Sequence, residues 1–158
     1  MPTELDISFV EVRDENVEQL KVLNRAIFPI NYQDRVYKDI LASGQVTQLA
    51  YHTDTLVGAI ACRLEAHGTA AKMYIVTLGV VAPYRGMRVG SRLLERSLLE
   101  ASQDTNITEA YLHVQTNNEE AICFYTKFGF VPGETVKDYY KRLNPPDAVI
   151  LRHTLVPL

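Results

Sequence analysis

The sequence has little of three features that mark large classes of proteins: cysteine, basic residues in excess, and long apolar runs. Its two cysteines, Cys62 and Cys123, are too few for a disulfide framework. Both lie in apolar stretches, and we expect buried, reduced thiols of a cytosolic protein. The net charge of −3 and the lack of a basic stripe argue against direct nucleic-acid binding. No apolar run reaches the about 20 residues of a membrane-spanning helix, so we expect no membrane partner.

The first residues carry no recognisable targeting signal. Residues 1–6 contain neither a basic segment nor an apolar one, so we expect no secretory signal. The 158 residues can form a full hydrophobic core, and no linker, repeat or low-complexity segment divides them. We therefore expect a single domain over residues 1–158.

Hydrophobic periodicity predicts alternating strands and helices. The predicted helices are 15–27 with Asp14 as cap, 33–42, 89–102 and 118–128. The predicted strands are 5–13, 48–52, 56–65, 72–81 and 109–115, with two or three more in 130–158. A strand–helix–strand–helix–strand order behind an antiparallel meander predicts an α/β fold, a mixed sheet with helices on both faces. The alternative is a separate antiparallel subdomain at the C-terminus, which the short chain disfavours.

The segment 78–91 carries the clearest chemical signal. A strand ends, a basic loop with glycines follows, and a helix begins, so backbone N–H groups at the helix N-terminus are available to phosphate. The nucleotide P-loop pattern G-x-x-x-x-G-K-[ST] and the dinucleotide pattern G-x-G-x-x-G are both absent. From the residues alone, a ligand site and a plain connection are equally good interpretations of this loop.

Two motifs resemble those of the GCN5-related (GNAT) acetyltransferases. Residues 85–90, R-G-M-R-V-G, are similar to the pyrophosphate loop [RQ]-x-x-G-x-[GA], with Arg88 in place of the middle glycine. Residues 118–130 match the second cofactor motif, N-x-x-A-[IL]-x-x-Y-x-x-x-G-F. The resemblance implies the GNAT fold, with a sheet of about seven strands, and acetyl-CoA as co-substrate. The cofactor-binding residues that it implies are Leu78, Val80, Arg85, Gly86, Arg88, Val89, Gly90, Ser91, Asn118 and Tyr125.

Residues 28–32, 74–79, 111–115 and 138–143 are similar to the catalytic-subunit family of N-terminal acetyltransferase E. This implies direct transfer, in a ternary complex, to protein or nascent-peptide N-termini that keep methionine before a mainly hydrophobic residue. It also implies a cytoplasmic location, with the nucleus as a second one, and association with the N-terminal acetyltransferase A complex and the ribosome. The implied substrate-binding residues are Phe28, Pro29, Ile30, Tyr32, Tyr74, Val76, Tyr139 and Tyr140.

The resemblance assigns base catalysis to Tyr74 and His113, acting through a water. A strand tyrosine or a lone histidine is more often structural, but these two lie on the strands that bracket the cofactor loop. A base with a near-neutral pKa suits amine deprotonation at cellular pH. The two-residue period of a strand places Tyr74 with Val76 and Leu78 on one face. Tyr125 is implied to donate a hydrogen bond to the leaving CoA sulfur, with core packing as its alternative role.

Several other residues invite chemical hypotheses. Cys123 is rejected as an acyl-enzyme nucleophile, because nothing nearby in the sequence lowers the pKa of its thiol. We expect no metal, because the other histidines have no metal-ligand spacing with either cysteine and are interpreted as surface or structural: His52, His67 and His153.

Two local conformations can also be predicted. Arg88 is expected to begin a helix with its side chain toward the CoA phosphates, while Gly86 takes up the unusual backbone angle. For Tyr139 and Tyr140 the alternative to substrate binding is an edge strand, where consecutive positions face opposite ways and at least one ring is structural.

Two other functions stay open. The first is a lysine or small-amine acetyltransferase on the same fold, because a fold does not fix the substrate. The second is a weakly active partner subunit of the N-terminal acetyltransferase A complex, which keeps the fold but binds acetyl-CoA poorly. The departure from the loop motif at Arg88 keeps this second possibility open.

Overall fold

The structure, a computed structural model, describes residues 5–28 and 30–155. Within these ranges the chain forms a seven-stranded sheet. The strands are β1 (Ile7–Glu11), β2 (Gln48–His52), β3 (Thr55–His67), β4 (Ala70–Val80), β5 (Ile107–Gln115), β6 (Val131–Val136) and β7 (Ala148–Thr154). Their order across the sheet is β1-β2-β3-β4-β5-β7-β6, and every neighbouring pair is antiparallel except β4 and β5.

Helices cover both faces of this sheet, as predicted. They are α1 (Val17–Ile27), α2 (Asp34–Ala42), α3 (Val89–Ser102) and α4 (Glu119–Thr126). The first two pack over Leu49, Ala59 and Ala61 on one face. The other two close a larger core on the opposite face, where Leu93 of α3 and Tyr125 of α4 are buried. The α3 crossover joins β4 to β5 and makes the single parallel pair possible.

The structure corrects one predicted helix boundary and excludes two alternatives. The first helix begins at Val17 rather than after Asp14, because residues 14–16 form a turn in which the Arg13 N–H donates to Asn16 Oδ1 at 2.7 Å. The C-terminal strands β6 and β7 extend the common sheet, so the separate subdomain is wrong. Tyr139 and Tyr140 lie in the loop between these strands and not on a strand.

A β-bulge in β4 overturns the predicted face of Tyr74. Opposite Ala61 and Cys62 of β3, the pairing residues of β4 are Thr77 and Ile75, so Val76 is an extra residue. Before the bulge, Met73 and Ile75 belong to the α3-side core, whereas Leu78 packs against that same core after it. Tyr74 and Leu78 therefore point to opposite faces, because the extra residue shifts the two-residue alternation by one.

The strands β4 and β5 diverge beside this bulge. Their parallel pairing runs only from Ala71 to Tyr74 on β4, so the remaining residues of β4 have no partner on β5 within the register. Side chains alternate along β5, with Leu112 and Val114 buried in the core and His113 on the other face. The divergence leaves a gap in the middle of the sheet, which positions the site described next.

The two cysteines differ in burial. Cys62 is buried in the sheet core, but Cys123 is exposed, which contradicts the expectation for both. The reason is helical geometry, because Cys123 lies two residues from the buried Tyr125 and therefore about half a turn away from the core. No helix in the described part of the chain has the length and hydropathy to cross a bilayer.

Candidate active site

Two open cavities meet at the gap between β4 and β5. The first, of about 770 Å³, lies between the loop before α3 and the face of α4. The second, of about 650 Å³, lies on the side of α1 and the β6–β7 loop. Phe28, Leu78, Asn118, Ala121 and Tyr125 line both. We call them the cofactor cavity and the acceptor cavity, after the residues that the sequence places in each.

The predicted cofactor-binding residues lie together along one path. Leu78, Val80, Arg85, Gly90, Asn118 and Tyr125 line the cofactor cavity. An adjoining hollow of about 360 Å³ is lined by Gly86, Arg88, Val89 and Ser91, together with Val80, Arg85 and Gly90. The first N–H groups of α3 lie at this hollow, and no described side chain caps them. The path therefore combines an apolar section with a helix N-terminus suited to phosphate.

The loop before α3 differs in one respect from the prediction. Arg88 is the N-cap of α3 with a left-handed φ of 63°, and Gly86 has a φ of 78°. Gly86 therefore does not take up the unusual angle alone, because the chain turns twice before the helix starts. The Arg88 guanidinium contacts the Glu95 carboxylate at 3.3 Å, about two turns along α3, and Arg88 also lines the hollow, so its predicted contact with the CoA phosphates stays a prediction. Arg85 folds back through a 2.9 Å hydrogen bond from its Nε to the Val80 carbonyl.

Tyr74 and His113 come together in the acceptor cavity. The Tyr74 hydroxyl lies 2.8 Å from His113 Nδ1 and 3.3 Å from the Tyr139 hydroxyl. The imidazole stacks on the Tyr139 ring, with centroids 4.1 Å apart and planes 8° apart. Burial lowers the pKa of His113, and the charges of Arg152 and Arg63 lower it further. Burial raises the pKa of Tyr74, as does its hydrogen bond with Tyr139.

These shifts define the protonation states that are available for catalysis. At cellular pH the imidazole is neutral, since its pKa lies below the ordinary value of 6.5. The phenol of Tyr74 stays protonated, since its pKa lies above 10.0. A neutral imidazole beside a phenol can accept a proton from the ammonium form of an amine, directly or through a water.

Tyr125 packs in the core, and its predicted hydrogen bond to the leaving CoA sulfur stays a prediction. It is buried, and its ring makes edge contacts with Phe124 and Phe130 at centroid distances of 5.1 and 5.4 Å. It also lines both cavities at their junction. Burial raises the pKa of its hydroxyl, which therefore stays a hydrogen-bond donor.

The predicted acceptor residues surround the second cavity. Phe28, Ile30, Tyr32, Tyr74, Val76, Tyr139 and Tyr140 all line it, whereas Pro29 lies outside the described residues. Tyr140 holds the β6–β7 loop in place, because its N–H donates to the Pro146 carbonyl at 2.7 Å and its hydroxyl donates to the His113 carbonyl at 3.3 Å. The Phe28 ring rests on Gly79, which leaves no room for a side chain.

Sequence reasoning missed the charged residues beneath this cavity. Arg63 lines it, with its guanidinium 4.4 Å from the centre of the Tyr74 ring. Glu65 accepts hydrogen bonds from Arg63 and from the Tyr111 hydroxyl. The sequence does contain an indication of these charged residues, because an arginine and a glutamate interrupt an otherwise apolar strand. Only the pairing of β3 with β4 shows which tyrosine they approach.

The remaining histidines and cysteines have other surroundings. His52 Nδ1 lies 2.6 Å from the Tyr84 hydroxyl, His153 Nδ1 lies 3.1 Å from the Gly129 carbonyl, and His67 is exposed. Burial raises the pKa of the Cys62 thiol to about 12, so it is not a nucleophile at cellular pH. Among the residues described, no three His, Cys, Asp or Glu side chains are grouped as metal ligands.

Known proteins are similar to this chain in architecture and in sequence. The model of the acetyltransferase (GNAT) family matches residues 11–130. N-alpha-acetyltransferase 50 of Danio rerio is 45% identical over 149 residues, covering 94% of this chain and 89% of the relative. The solved structure of Arabidopsis thaliana Naa50 in complex with the bisubstrate analogue CoA-Ac-MVNAL is 50% identical, with a TM-score of 0.85, covering 92% of this chain and 97% of the other.

A more distant likeness extends to an assembled enzyme. A chain of the NatC complex bound to Gag peptide and CoA matches with 25% identity and a TM-score of 0.81, covering 96% of this chain and 99% of that one. The family model spans more than half of the sequence, and the mixed sheet, the gap at β4 and the basic loop before α3 agree with it. The chain therefore belongs to the GNAT family of acetyltransferases.

Proposed function

We propose that the protein transfers the acetyl group of acetyl-CoA to the α-amine of protein N-termini that retain methionine before a mainly hydrophobic residue. Its identity to N-terminal acetyltransferases over most of the chain supports the general activity. The observation that carries the proposal is the meeting of two cavities at the gap between β4 and β5. A thioester held on one side of the sheet is then within reach of an amine held on the other.

The Tyr74–His113 pair provides the base. An α-ammonium has a reference pKa of about 7.7–8.0, against about 10.4 for a lysine ammonium, so a neutral imidazole deprotonates it more easily. The proton passes to His113 through a water, and the free amine attacks the thioester carbon. Holding the two reactants together supplies much of the acceleration.

Backbone groups at the gap stabilise the reacting carbonyl. Residues 78–80 are past the end of the β4–β5 pairing, so N–H groups on this side of β4 are available to the acetyl oxygen. When the carbon–sulfur bond breaks, CoA leaves as a thiolate that takes up the second proton of the amine nitrogen, so the products are the acetylated amine and the CoA thiol. The Tyr125 hydroxyl at the junction of the cavities donates a hydrogen bond to that sulfur.

The walls of the acceptor cavity favour an apolar first residue. Phe28, Ile30, Val76 and Leu143 supply apolar surface around the Tyr74–His113 pair. Val76 is smaller than the methionine that is common at this position in the resembled family, so the pocket for the first side chain is wider. One methylene in such a pocket is worth about 1–3 kcal/mol, and the preference should be graded rather than absolute.

The charge of the cavity weighs against a lysine or small cationic acceptor. Arg63 lines it, and the neighbouring Glu65 carboxylate already binds both Arg63 and Tyr111. The ammonium group of a lysine or small-amine acceptor therefore meets the Arg63 guanidinium rather than an available carboxylate. The α-amine of a peptide reduces this conflict, because its ammonium form has the lower reference pKa and loses its charge more readily to the imidazole.

A peptide panel tests the acceptor class. Three peptides that differ only at the first residue, Met-Leu, Ser-Leu and Ala-Leu, are compared by kcat/KM. A fourth is an N-acetylated Met-Leu peptide with one internal lysine. We expect the Met-Leu peptide to exceed the Ser and Ala peptides by about fivefold or more. Equal values for the three free N-termini would reject a methionine pocket, and fast turnover of the blocked peptide would favour a lysine acetyltransferase.

On the resemblance to the N-terminal acetyltransferase E family, we further propose a cytoplasmic and nuclear location. The same resemblance supports association with the N-terminal acetyltransferase A complex at the ribosome. There the protein would meet its acceptors as nascent chains.

A further inference from the structure

A row of alternating cations and aromatic rings crosses the sheet beneath the acceptor cavity. The strand registers place Arg63 opposite Tyr74, Tyr74 opposite Tyr111, and Tyr111 opposite Arg152. Each neighbour is in contact with the next. The Arg63 guanidinium lies 4.4 Å from the Tyr74 ring centre, the two tyrosine rings meet edge to face at 4.9 Å, and the Arg152 guanidinium lies 5.5 Å from the Tyr111 ring centre. Tyr74 is thus held between two partners.

Glu65 ties these two partners together. Its Oε2 accepts a 3.0 Å hydrogen bond from Arg63 Nε, and its Oε1 accepts a hydrogen bond from the Tyr111 hydroxyl. Arg63 lies on β3 and Tyr111 on β5, the strands on either side of the strand that carries Tyr74. One carboxylate therefore bridges across β4, close to the point where the pairing of β4 with β5 ends.

We propose that Glu65 is a positioning residue for acetyl transfer, which holds Arg63 and Tyr111 on either side of the Tyr74 ring so that the Tyr74 hydroxyl meets His113. The inference rests on the proposed function, because it gives that hydroxyl and imidazole the role of the base. Sheet pairing no longer fixes β4 and β5 to each other beyond Tyr74. The side-chain bridge is thus a means of keeping the two catalytic strands in register there.

Glu65 also sets the electrostatic surroundings of the imidazole. Its own pKa is lowered, because the hydrogen bonds from Tyr111 and Arg63 outweigh the effect of burial, so it is ionised at cellular pH. Its negative charge raises the pKa of His113, against burial and the two arginines, which lower it. The groups that face the imidazole or act on its charge come from β3, β4, β5, β7 and the β6–β7 loop: Arg63, Glu65, Tyr74, Tyr111, Arg152, Tyr139 and Tyr140.

Replacing Glu65 by Gln keeps the size of the side chain and removes its charge. We expect kcat on the Met-Leu peptide to fall about tenfold, because a loosely held catalytic group reacts more slowly, while KM for acetyl-CoA stays unchanged. The acidic limb of the kcat–pH profile should shift to lower pH, because a charge that raises the His113 pKa is gone. Glu65→Asp keeps the charge and should retain the wild-type profile with a smaller loss of kcat.

Two further variants make the test decisive. Tyr111→Phe removes only the hydroxyl that donates to Glu65, and should lower kcat in the same direction if Glu65→Gln does not fold. Glu18→Gln is the matched control, since Glu18 forms an exposed ion pair with Lys21 on α1. Wild-type kcat and pH profile in folded Glu65→Gln, or wild-type kcat in Tyr111→Phe, would overturn the proposal.

A measurement without turnover separates this inference from the proposed function. NMR titration of the His113 imidazole should give a lower pKa in Glu65→Gln than in the wild type, whichever acceptor the enzyme uses. An unchanged imidazole pKa would overturn the electrostatic part of the proposal. If the wild type acetylates no peptide N-terminus while the pKa moves as expected, the acceptor assignment fails and the placement of Glu65 beside the base stands.

Discussion

Replacing Arg88 by glycine should change stability and cofactor binding in opposite directions. Arg88 has a φ of 63° at the N-cap of α3, a conformation that glycine adopts without steric cost. A non-glycine residue in this region costs about 1–2 kcal/mol. Among the contacts that Arg88 loses, the ion pair with Glu95 contributes little, because both side chains are more than half exposed. A glycine also raises the conformational entropy of the unfolded chain. Allowing for this, we expect the free energy of unfolding to rise by about 1 kcal/mol, or the Tm by about 2–4 °C for a chain of this size.

The same substitution should weaken acetyl-CoA binding. Arg88 lines the hollow at the N-terminus of α3, where rotation of its side chain away from Glu95 brings the guanidinium toward a bound phosphate. The site is open to solvent, so we expect a loss of only about threefold to tenfold in Kd, or about 0.7–1.4 kcal/mol. The loss should shrink between 0.1 M and 1 M salt, since the screening length falls from about 10 Å to about 3 Å.

Calorimetric titration with acetyl-CoA at the two salt concentrations, together with thermal unfolding, tests both effects. Arg88→Lys is the matched control, because it keeps the charge and the left-handed backbone strain. Its Tm should equal that of the wild type, and its affinity should lie between those of the other two proteins. Tighter binding by Arg88→Gly would refute the reasoning, since the arginine would then obstruct the loop, and it would favour the weakly active partner subunit.

Two more predictions concern the junction of the cavities. His113→Ala and Tyr74→Phe should each lower kcat by about 10²-fold while acetyl-CoA still binds, and near-normal kcat in both folded variants would remove these residues from the mechanism. The wild-type enzyme should keep its activity below pH 6.5 in a kcat–pH profile, because burial lowers the pKa of His113. Gly79→Ala should raise KM for both acetyl-CoA and peptide, because the new Cβ would lie 2.9 Å from Phe28 Cζ. The control Gly133→Ala should behave as wild type, because its new Cβ makes only an ordinary contact of 3.5 Å.

Local sequence patterns were sufficient for most of the fold. The bounds of α3 follow from its apolar spacing, and Asn118 caps α4 as expected, since its side chain accepts a hydrogen bond from the Ala121 N–H. The family motifs led to residues that line the cofactor cavity and the hollow beside it. What apolar spacing could not give was the turn before α1 or the loop position of Tyr139 and Tyr140. Both depend on local hydrogen bonds, from the Arg13 N–H to Asn16 Oδ1 and from the Tyr140 N–H to the Pro146 carbonyl, which leave no mark in the hydrophobic period.

The site depends on sheet register, and register is a property of strand pairs rather than of one strand. The two-residue period predicted one face for Tyr74 and Leu78, but the extra residue Val76 moves them to opposite faces. That reversal is what allows one strand to serve two cavities. Tyr74 projects toward the acceptor side and lies beside His113, whereas Leu78 and Val80, beyond the bulge, line the cofactor cavity. Without the extra residue, the two-residue alternation would place Tyr74 and Leu78 on one face, and β4 would not contribute to the two cavities in this way.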